Sequence, residues 1–446
     1  MSSWSIPSQL SSWIAGLGAM IDRRLHDVFP LVFCGLLLTQ ERRRTCTSWF
    51  RAGGIAAAFR RGYRVVCVTG RHSESMGMAV LYDIANSPAA AQAGRIKLTL
   101  DDTPTQRYGP QVEGAGLHHN PTPGPANQPF LYGHVFVTLA WAVDHPDWGT
   151  ISLPVRSELY VRQKDVPKIP LERGSWEFRT KIEHAVALIE WAGKLLAHKA
   201  QPIWLAVDGG YANRPVIDAA KEQDITLVGR LRKDAALRSL PGPQPAGKRG
   251  RKPKYGKAAI SLAKRAGHSH GWQQDEMMLY GALTLKTFKT FLATWPPAGG
   301  TIRVVVVKED EGWFAFFCTD TNATPAEILG MVGDRNSIEQ TFKDVKETWG
   351  AGQQQVRNID ASLGAWHLNL WAYTLTELWA WEKSKEVLVD RSRSPWDDKP
   401  RRPSHADRRK ALLRHALQEE YQAAQTGPCQ REKLLAFAER LMGMAA

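Results

Sequence analysis

The sequence has few cysteines, no long hydrophobic run and fewer acidic than basic residues. Its 446 residues include five cysteines, which lie far apart and form no Cys-x-x-Cys pair: Cys34, Cys46, Cys67, Cys318 and Cys429. This spacing argues against a zinc module or a disulfide framework, and it suits a reducing cytoplasm. The apolar run from Phe29 to Leu38 contains Pro30 and is too short to cross a bilayer. The first twenty residues show no signal-peptide pattern, and we expect no membrane partner.

The charge that is present is basic and unevenly distributed. The chain has 58 Lys and Arg residues against 44 Asp and Glu, a formal net charge of +14, which indicates a polyanionic partner. Residues 233–270 hold ten basic residues and one acidic residue, and residues 1–95 hold eleven and five. The segment from Lys248 to Lys257 reads KRGRKPKYGK. It is either a solvated loop or a loop that follows phosphates, and we favour the second interpretation.

Two further details belong to this basic segment. The predicted phosphate-binding residues are Lys248, Arg249, Arg251, Lys252 and Lys254. Trp272 follows the loop and is a candidate for stacking on a displaced base, although a packing role is the more common one for a tryptophan.

Composition and periodicity divide the chain into five segments. Residues 1–92 look helical, residues 93–232 and 322–385 form a mixed α/β core in two parts, residues 233–321 are a β-rich insertion, and residues 386–446 are helical. In the first part of the core, alternating and apolar runs predict the order β-β-β-α-β-α-β, a mixed sheet with helices on its faces. We predict that residues 1–92 bind DNA.

Three acidic residues stand out by position. Asp102 ends the first predicted core strand, Asp208 ends the strand after the long helix, and Glu339 lies in a later helix. Each alone is most simply a turn or surface residue. Together they can converge at one edge of the sheet, where carboxylates would repel one another unless cations bind. Oxygen ligands of this kind suit Mg²⁺, and two such ions support phosphodiester cleavage.

Asp101 competes with Asp102 for the first of these positions. Strand alternation places Asp101 with Lys97 and Thr99, and Asp102 with Leu98 and Leu100. We favour Asp102.

Three stretches resemble DDE-type bacterial insertion-sequence transposases, in the branch of the insertion-sequence-four type. LTLDDTPTQRYG resembles the strand of the first Asp, and LAVDGGYANRPVID resembles that of the second. RNSIEQTFKDVKETWGAGQQQVR resembles the signature Tyr-x₂-Arg-x₃-Glu-x₆-Lys, with Arg335, Glu339 and Lys346 at its Arg, Glu and Lys positions. Val332 stands at the Tyr position. The resemblance covers roughly residues 95–232 and 325–385.

The resemblance implies a ribonuclease-H-like fold with a β-rich insertion. It implies a transposase that cuts the ends of its mobile element and joins the 3′-OH ends to target DNA. Asp102, Asp208 and Glu339 would hold two Mg²⁺ ions, for which Mn²⁺ can substitute, and Arg335 and Lys346 would bind DNA phosphates. The expected partners are double-stranded DNA, as terminal inverted repeats and target, and a second copy of the chain. The expected location is the bacterial cytoplasm, at the nucleoid.

Two other functions fit the same fold. One is a domesticated DNA-binding protein that does not cleave, and the other is a structure-specific nuclease without strand transfer.

Overall fold

The structure is a computed structural model that describes residues 6–91, 94–120, 128–243, 252–279, 281–392, 394–426 and 429–445. Its strands are β1 Ile96–Gln106, β2 Gly116–His119, β3 Phe130–His145, β4 Gly149–Tyr160, β5 Ile203–Val207, β6 Ile225–Leu231, β7 Leu237–Arg238, β8 Ala259–Ile260, β9 Gln273–Leu279, β10 Ala282–Trp295, β11 Gly300–Glu309 and β12 Gly312–Cys318.

The α-helices of the described residues are α1 Ser11–Gly18, α2 Phe29–Leu38, α3 Cys46–Ala52, α4 Phe59–Arg71, α5 Ser73–Ala85, α6 Pro88–Ala91, α7 Lys181–Leu196, α8 Arg214–Glu222, α9 Leu262–Gly267, α10 Pro325–Arg335, α11 Ser337–Glu347, α12 Ile359–Ala380, α13 Lys385–Leu388, α14 His405–Ala424 and α15 Gln430–Ala445. Short 3-10 helices lie at Ser8–Leu10, Arg23–Leu25, Ala56–Ala58, Gln163–Lys168 and Leu171–Arg173. None of these helices is both long enough and apolar enough to cross a membrane.

The centre of the fold is a mixed sheet in the spatial order β4-β3-β1-β5-β6. β4, β3 and β1 pair antiparallel, whereas β1, β5 and β6 run parallel. α7 and α8 lie in the sequence before β5 and before β6, as the predicted order requires. The ribonuclease-H-like core with helical flanks is therefore confirmed.

The predicted β-rich insertion continues this sheet instead of standing apart from it. β12 pairs antiparallel with β6, and the order continues through β11 and β10 to a set of twelve strands within the described residues. The run TIRVVVVKEDEGWFAFFCTD predicts a hairpin that turns at residues 309–312, and β11 and β12 pair around this turn. β6 would otherwise expose an unpaired edge, and the insertion covers it.

Helices cover both faces of the central strands. Leu98 and Leu100 of β1 belong to the same buried cluster as residues of α7 and α8, whereas Trp204 and Ala206 of β5 pack with residues of α10 on the other face. Because both faces are apolar, hydrophobic patterning along β1 does not indicate which face carries a functional site.

One predicted helix is interrupted. The sequence pattern from Thr324 to Gly350 predicts a single helix, but α10 ends at Arg335 and α11 begins at Ser337. The Ser337 hydroxyl donates a hydrogen bond of 2.6 Å to the Asp334 carbonyl, a local bond of the kind by which serine competes with helical pairing. The interruption lies next to Arg335, which it places beside the sheet.

The N-terminal helices pack directly on the core. α4 crosses α12 at Gly70 and Gly364, where a Cβ on either glycine would overlap backbone atoms of the other helix. Only residues without a side chain allow this approach. The helical region predicted at residues 1–92 is therefore part of one buried core with the sheet.

Candidate active site

Alternate residues of β1 face α10 and α11. Lys97 donates to Asp334 at 2.6 Å, and Lys346 donates to Thr103 at 2.6 Å. Between them, Thr99 lies within 3.2 Å of Ser152, whose hydroxyl is 2.7 Å from that of Ser337. Strand alternation places Asp101 on this same face, in the middle of the row.

Asp101 and Asp208 lie next to each other where the parallel pairing of β1 with β5 stops. β1 itself continues to Gln106, so the prediction that Asp102 ends the first core strand is wrong. The pairing between β1 and β5 ends at Leu100 and Val207, and the next residues along the two segments are Asp101 and Asp208. The carboxyl ends of parallel strands form the usual binding edge of an α/β sheet. The sequence predicts Asp208 as the last residue of this strand, and in the structure β5 ends one residue earlier, at Val207.

Arg335 joins these carboxylates to Glu339. Its guanidinium donates to Asp101 at 2.5 Å and to Glu339 at 3.1 Å. Burial alone would lower the pKa of Arg335, but Asp101, Asp208 and Glu339 together outweigh burial and raise it. Burial also raises the pKa of Asp101 to about 6, against the opposing effect of Arg335. Arg335 therefore pairs directly with Asp101 and Glu339, and the negative charge of Asp208 adds to the electrostatic field that favours its charged form.

Asp102 lies on the other face of β1. Lys181, the first residue of α7, donates to one carboxylate oxygen at 2.7 Å, and the Tyr211 hydroxyl donates to the other at 2.7 Å. Tyr211 belongs to the turn after β5, where its amide donates to the Asp208 carbonyl at 2.9 Å. Asp102 thus connects β1 to the turn that carries Asp208, whereas its neighbour Asp101 faces Glu339.

An open cleft of about 1980 Å³ lies over this region, and it is lined by Asp101, Asp102, Asp208 and Glu339 together with basic side chains. The basic lining residues include Arg42, Arg43, Arg107, Arg162, Lys181, Lys343, Lys346 and Arg357. We call the carboxylates of Asp101, Asp102, Asp208 and Glu339 the acidic floor of the cleft and the basic residues its wall, in which Glu347 is a further acidic lining residue. This arrangement suits a polyanion that must approach carboxylates.

Lys346, which the resemblance assigns to DNA, lies half-buried in this cleft. Burial lowers the pKa of its ammonium group to about 8. Its hydrogen bond to Thr103 leaves two further ammonium protons for a ligand.

The other predicted DNA-binding residues lie elsewhere. Trp272 is half-buried away from the cleft, donates to the His268 carbonyl at 3.1 Å and carries the Lys289 ammonium 4.6 Å from its ring centre. Lys252 and Lys254 are exposed and do not line the cleft. Lys248, Arg249 and Arg251 lie outside the described residues. The predicted DNA contacts of these residues stay predictions.

Val332, at the position of the family tyrosine, packs against the apolar cluster beneath α10. It does not line the cleft. The phenol of the family signature therefore has no counterpart at this position.

The donor atoms of the floor suit a hard divalent cation. Within the described ranges, no three Asp, Glu, His or Cys side chains are grouped so as to hold a metal ion. The Arg335 guanidinium is instead the cation that Asp101 and Glu339 contact. Carboxylate oxygens are ligands that Mg²⁺ accepts, so the donor atoms of Asp101, Asp208 and Glu339 suit such an ion, although in this structure Arg335 occupies the space between Asp101 and Glu339.

Sequence reasoning missed several residues of the cleft. Lys181 and Tyr211 are single polar residues at the start of a helix and in a turn, and only the fold brings them to Asp102. The available signal for Tyr211 was its place three residues after Asp208. Arg42 and Arg43 are far from the core in sequence, and no spacing rule connects them to it.

Comparison with known families agrees with this geometry. A family model described as DDE superfamily endonuclease matches residues 18–279, more than half of the chain. This chain belongs to the DDE superfamily endonucleases. The match includes β1 and β5 with Asp101, Asp102 and Asp208, and it ends before α11 and Glu339. No curated protein matches the sequence. Membership supports a function of the nuclease or transposase type on DNA.

Proposed function

We propose that this chain is a transposase of the insertion-sequence-four-like branch. It would cut DNA at the ends of its mobile element and join the freed 3′-OH ends to target DNA, as a homodimer on paired ends in the bacterial nucleoid. The observation that carries this proposal is the grouping of Asp101, Asp208 and Glu339 around Arg335 in a basic-walled cleft of a DDE superfamily endonuclease.

We assign the first metal-ligand position to Asp101 in preference to Asp102. Asp101 shares a face of β1 with the helix of Glu339 and contacts Arg335 there, whereas Asp102 lies on the opposite face and accepts hydrogen bonds from Lys181 and Tyr211. Asp102 acts as a positioning residue, because Tyr211 links it to the turn of Asp208.

Asp101, Asp208 and Glu339 would hold two Mg²⁺ ions, with Mn²⁺ as a substitute. When bound, such ions activate the attacking oxygen and stabilise the leaving oxygen of the phosphodiester. Without them the clustered carboxylates would repel a DNA phosphate. Arg335 and Lys346 would bind phosphate oxygens, as charged donors do, and for Arg335 this requires that it leave Asp101 and Glu339.

A comparison of DNA cleavage by wild type and by the Glu339→Gln variant tests this function. The substrate is a plasmid that carries the coding region with its flanking DNA, and the measurement is nicking with and without Mg²⁺. Wild type should nick only with Mg²⁺, and Glu339→Gln should lose at least about a hundredfold in rate, because a neutral amide is a poor ligand for Mg²⁺. Glu222→Gln, an exposed change at the end of α8, is the matched control and should cut like wild type.

A supercoiled target plasmid then separates the alternatives. Joining of cut ends to the target supports the transposase, and cutting without joining indicates a nuclease. DNA binding without any Mg²⁺-dependent cutting would refute the proposal in favour of a non-cleaving DNA-binding protein.

A further inference from the structure

The loop between α2 and α3 brings two arginines from the N-terminal helices to the cleft. Arg42 and Arg43 line the same cleft as Asp101, Asp208 and Glu339, and both side chains are exposed. They are separated from β1 by more than fifty residues of sequence. The N-terminal region therefore forms part of the wall of the candidate active site.

This loop is fixed to the end of α11 through its next residue, Arg44. The Arg44 amide donates to the Gln353 side chain at 2.9 Å, and its guanidinium donates to the Glu347 carbonyl at 3.0 Å. Gln354, buried, donates in return to the Arg44 carbonyl at 2.9 Å. The loop is thus anchored to the segment that follows the helix of Glu339, which fixes the position of its arginines relative to the acidic floor.

Arg42 and Arg43 also differ from other arginines of the N-terminal helices in their charge balance. Arg51 pairs with Glu41 at 2.5 Å, and Arg61 pairs with Asp27 at 2.7 Å. The side chains of Arg42 and Arg43 form no hydrogen bond or ion pair with any residue that the structure describes. Their charges are directed at solvent in the cleft instead of being neutralised within the protein.

Two further lining residues have the same sign of charge as Arg42 and Arg43, whereas Glu347, which also lines the cleft, has the opposite sign. Lys343 is exposed on α11, one turn after Glu339. Arg357 is exposed and follows the three glutamines at residues 353–355. A volume of about 1980 Å³ exceeds the ~300–1,000 Å³ of ordinary small-molecule pockets. An open groove with several uncompensated cations fits an extended phosphate backbone.

We propose that Arg42 and Arg43 bind backbone phosphates of the DNA duplex that enters the acidic cleft. The inference rests on the proposed function and deepens it. Under this inference the N-terminal region forms part of the DNA-cleaving site, in addition to any contact that it makes with DNA outside the cleft.

The test compares two double charge reversals in the full chain. Arg42→Glu/Arg43→Glu changes the cleft, and Lys194→Glu/Lys410→Glu makes the same change in net charge at exposed residues that do not line it. Binding of a fluorescent 40-base-pair DNA duplex is measured by anisotropy without divalent metal, at several salt concentrations. Arg42→Gln/Arg43→Gln serves as a milder second variant, and circular dichroism checks that each protein is folded.

We expect the cleft reversal to weaken binding at least about tenfold, and the control reversal to change it less than about threefold. Loss of two phosphate contacts should reduce the slope of log affinity against log salt by about 2 in both cleft variants. Equal effects of the cleft and control reversals would overturn the proposal, since net charge alone would then explain them. Absence of DNA binding by wild type, or tighter binding of an RNA duplex of the same sequence, would also overturn it.

Failure of the proposed function gives a different result. A wild type that binds the duplex through Arg42 and Arg43 but never nicks DNA with Mg²⁺ leaves this inference intact and refutes the transposase. If wild type cuts DNA and both cleft variants bind and cut DNA normally, the inference about Arg42 and Arg43 is refuted and the proposed function stands.

Discussion

At the scale of single residues, Lys346 combines a basic group with a partly desolvated position. Burial lowers the pKa of its ammonium group to about 8, and its described partner is the neutral Thr103 hydroxyl. Only the protonated form attracts a phosphate. Its contribution to DNA binding is therefore present below pH 8 and declines as the pH rises through that value.

This gives a pH-dependent prediction. Between pH 7 and pH 9 the charged fraction of a group with this pKa falls about tenfold, so DNA affinity of wild type should fall by up to about tenfold. Lys346→Arg should show a flatter profile, because arginine keeps its charge over this range. Anisotropy at both pH values measures the difference. The assignment would be contradicted by profiles of equal steepness in the two proteins.

The choice between Asp101 and Asp102 shows what a sequence can indicate at this scale. Alternation along β1 correctly separates the two side chains onto opposite faces. It cannot indicate which face meets Glu339, because helices cover both faces and Leu98 and Leu100 are buried like Thr99. That information comes from the interruption at Asn336, which turns Arg335 and α11 towards Asp101.

At the scale of elements, the crossing of α4 and α12 ties the N-terminal helices to the core. Gly70 and Gly364 meet where each helix backbone touches the other. The sequence predicted both helical regions, but it gave no sign of this contact, which depends on two glycines nearly three hundred residues apart.

Gly364→Ala should therefore destabilise the protein. The added Cβ would overlap the Val66 carbonyl, and the helices must separate at a cost of about 1–3 kcal/mol or more. The control is Gly330→Ala in α10, where an added Cβ meets nothing within 4 Å and should leave stability unchanged or raise it by about 0.5–1 kcal/mol. Urea unfolding measures both. Equal midpoints for Gly364→Ala and wild type would contradict the close crossing.

At the scale of the whole molecule, a buried ion network attaches the C-terminal helices to the core. Glu377 of α12 accepts two hydrogen bonds from Arg408 at 2.8 and 2.7 Å, and His405 lies 2.5 Å from it. The Trp349 indole donates to the other nitrogen of His405 at 2.7 Å. Burial opposes the charge of Glu377, but Arg408 and His405 outweigh burial and lower its pKa to about 2.

The lowered pKa of Glu377 predicts a dependence of stability on pH. The stabilisation is present above the ordinary carboxyl pKa and is lost as the pH falls from about 4.5 towards 2. Glu377→Gln should lose about 3–5 kcal/mol at neutral pH, because Arg408 stays buried without a counter-charge. The free energy of unfolding of Glu377→Gln should also fall less than that of wild type as the pH is lowered from about 4.5 towards 2.

Chemical denaturation at pH 7 and about pH 3, inside the window in which the stabilisation is lost, measures this, with the exposed Glu222→Gln as control. If Glu377→Gln were as stable as wild type at pH 7, the network would not be what holds the C-terminal helices to the core.

The whole fold was more predictable than its functional site. The order of the core strands and helices follows from apolar runs, and the run ITLVGRL predicts a strand at residues 225–231, which are the bounds of β6. The merging of the insertion with the core sheet and the short β2 were not foreseen, because pairing between distant strands leaves little local signal. The cleft wall combines Arg42 with Lys343 through three-dimensional packing alone.

The central claim is that Asp101, and not Asp102, is the first metal ligand. A comparison of the Mg²⁺-dependent cleavage rates of Asp101→Asn and Asp102→Asn tests this claim most directly. The two substitutions are adjacent and chemically identical, and they change opposite faces of one strand. We predict that Asp101→Asn loses at least about a hundredfold in nicking rate, as a lost metal ligand requires. Asp102→Asn, whose amide oxygen still accepts from Tyr211, should keep activity within about tenfold of wild type. Cleavage at the wild-type rate by Asp101→Asn would contradict the account.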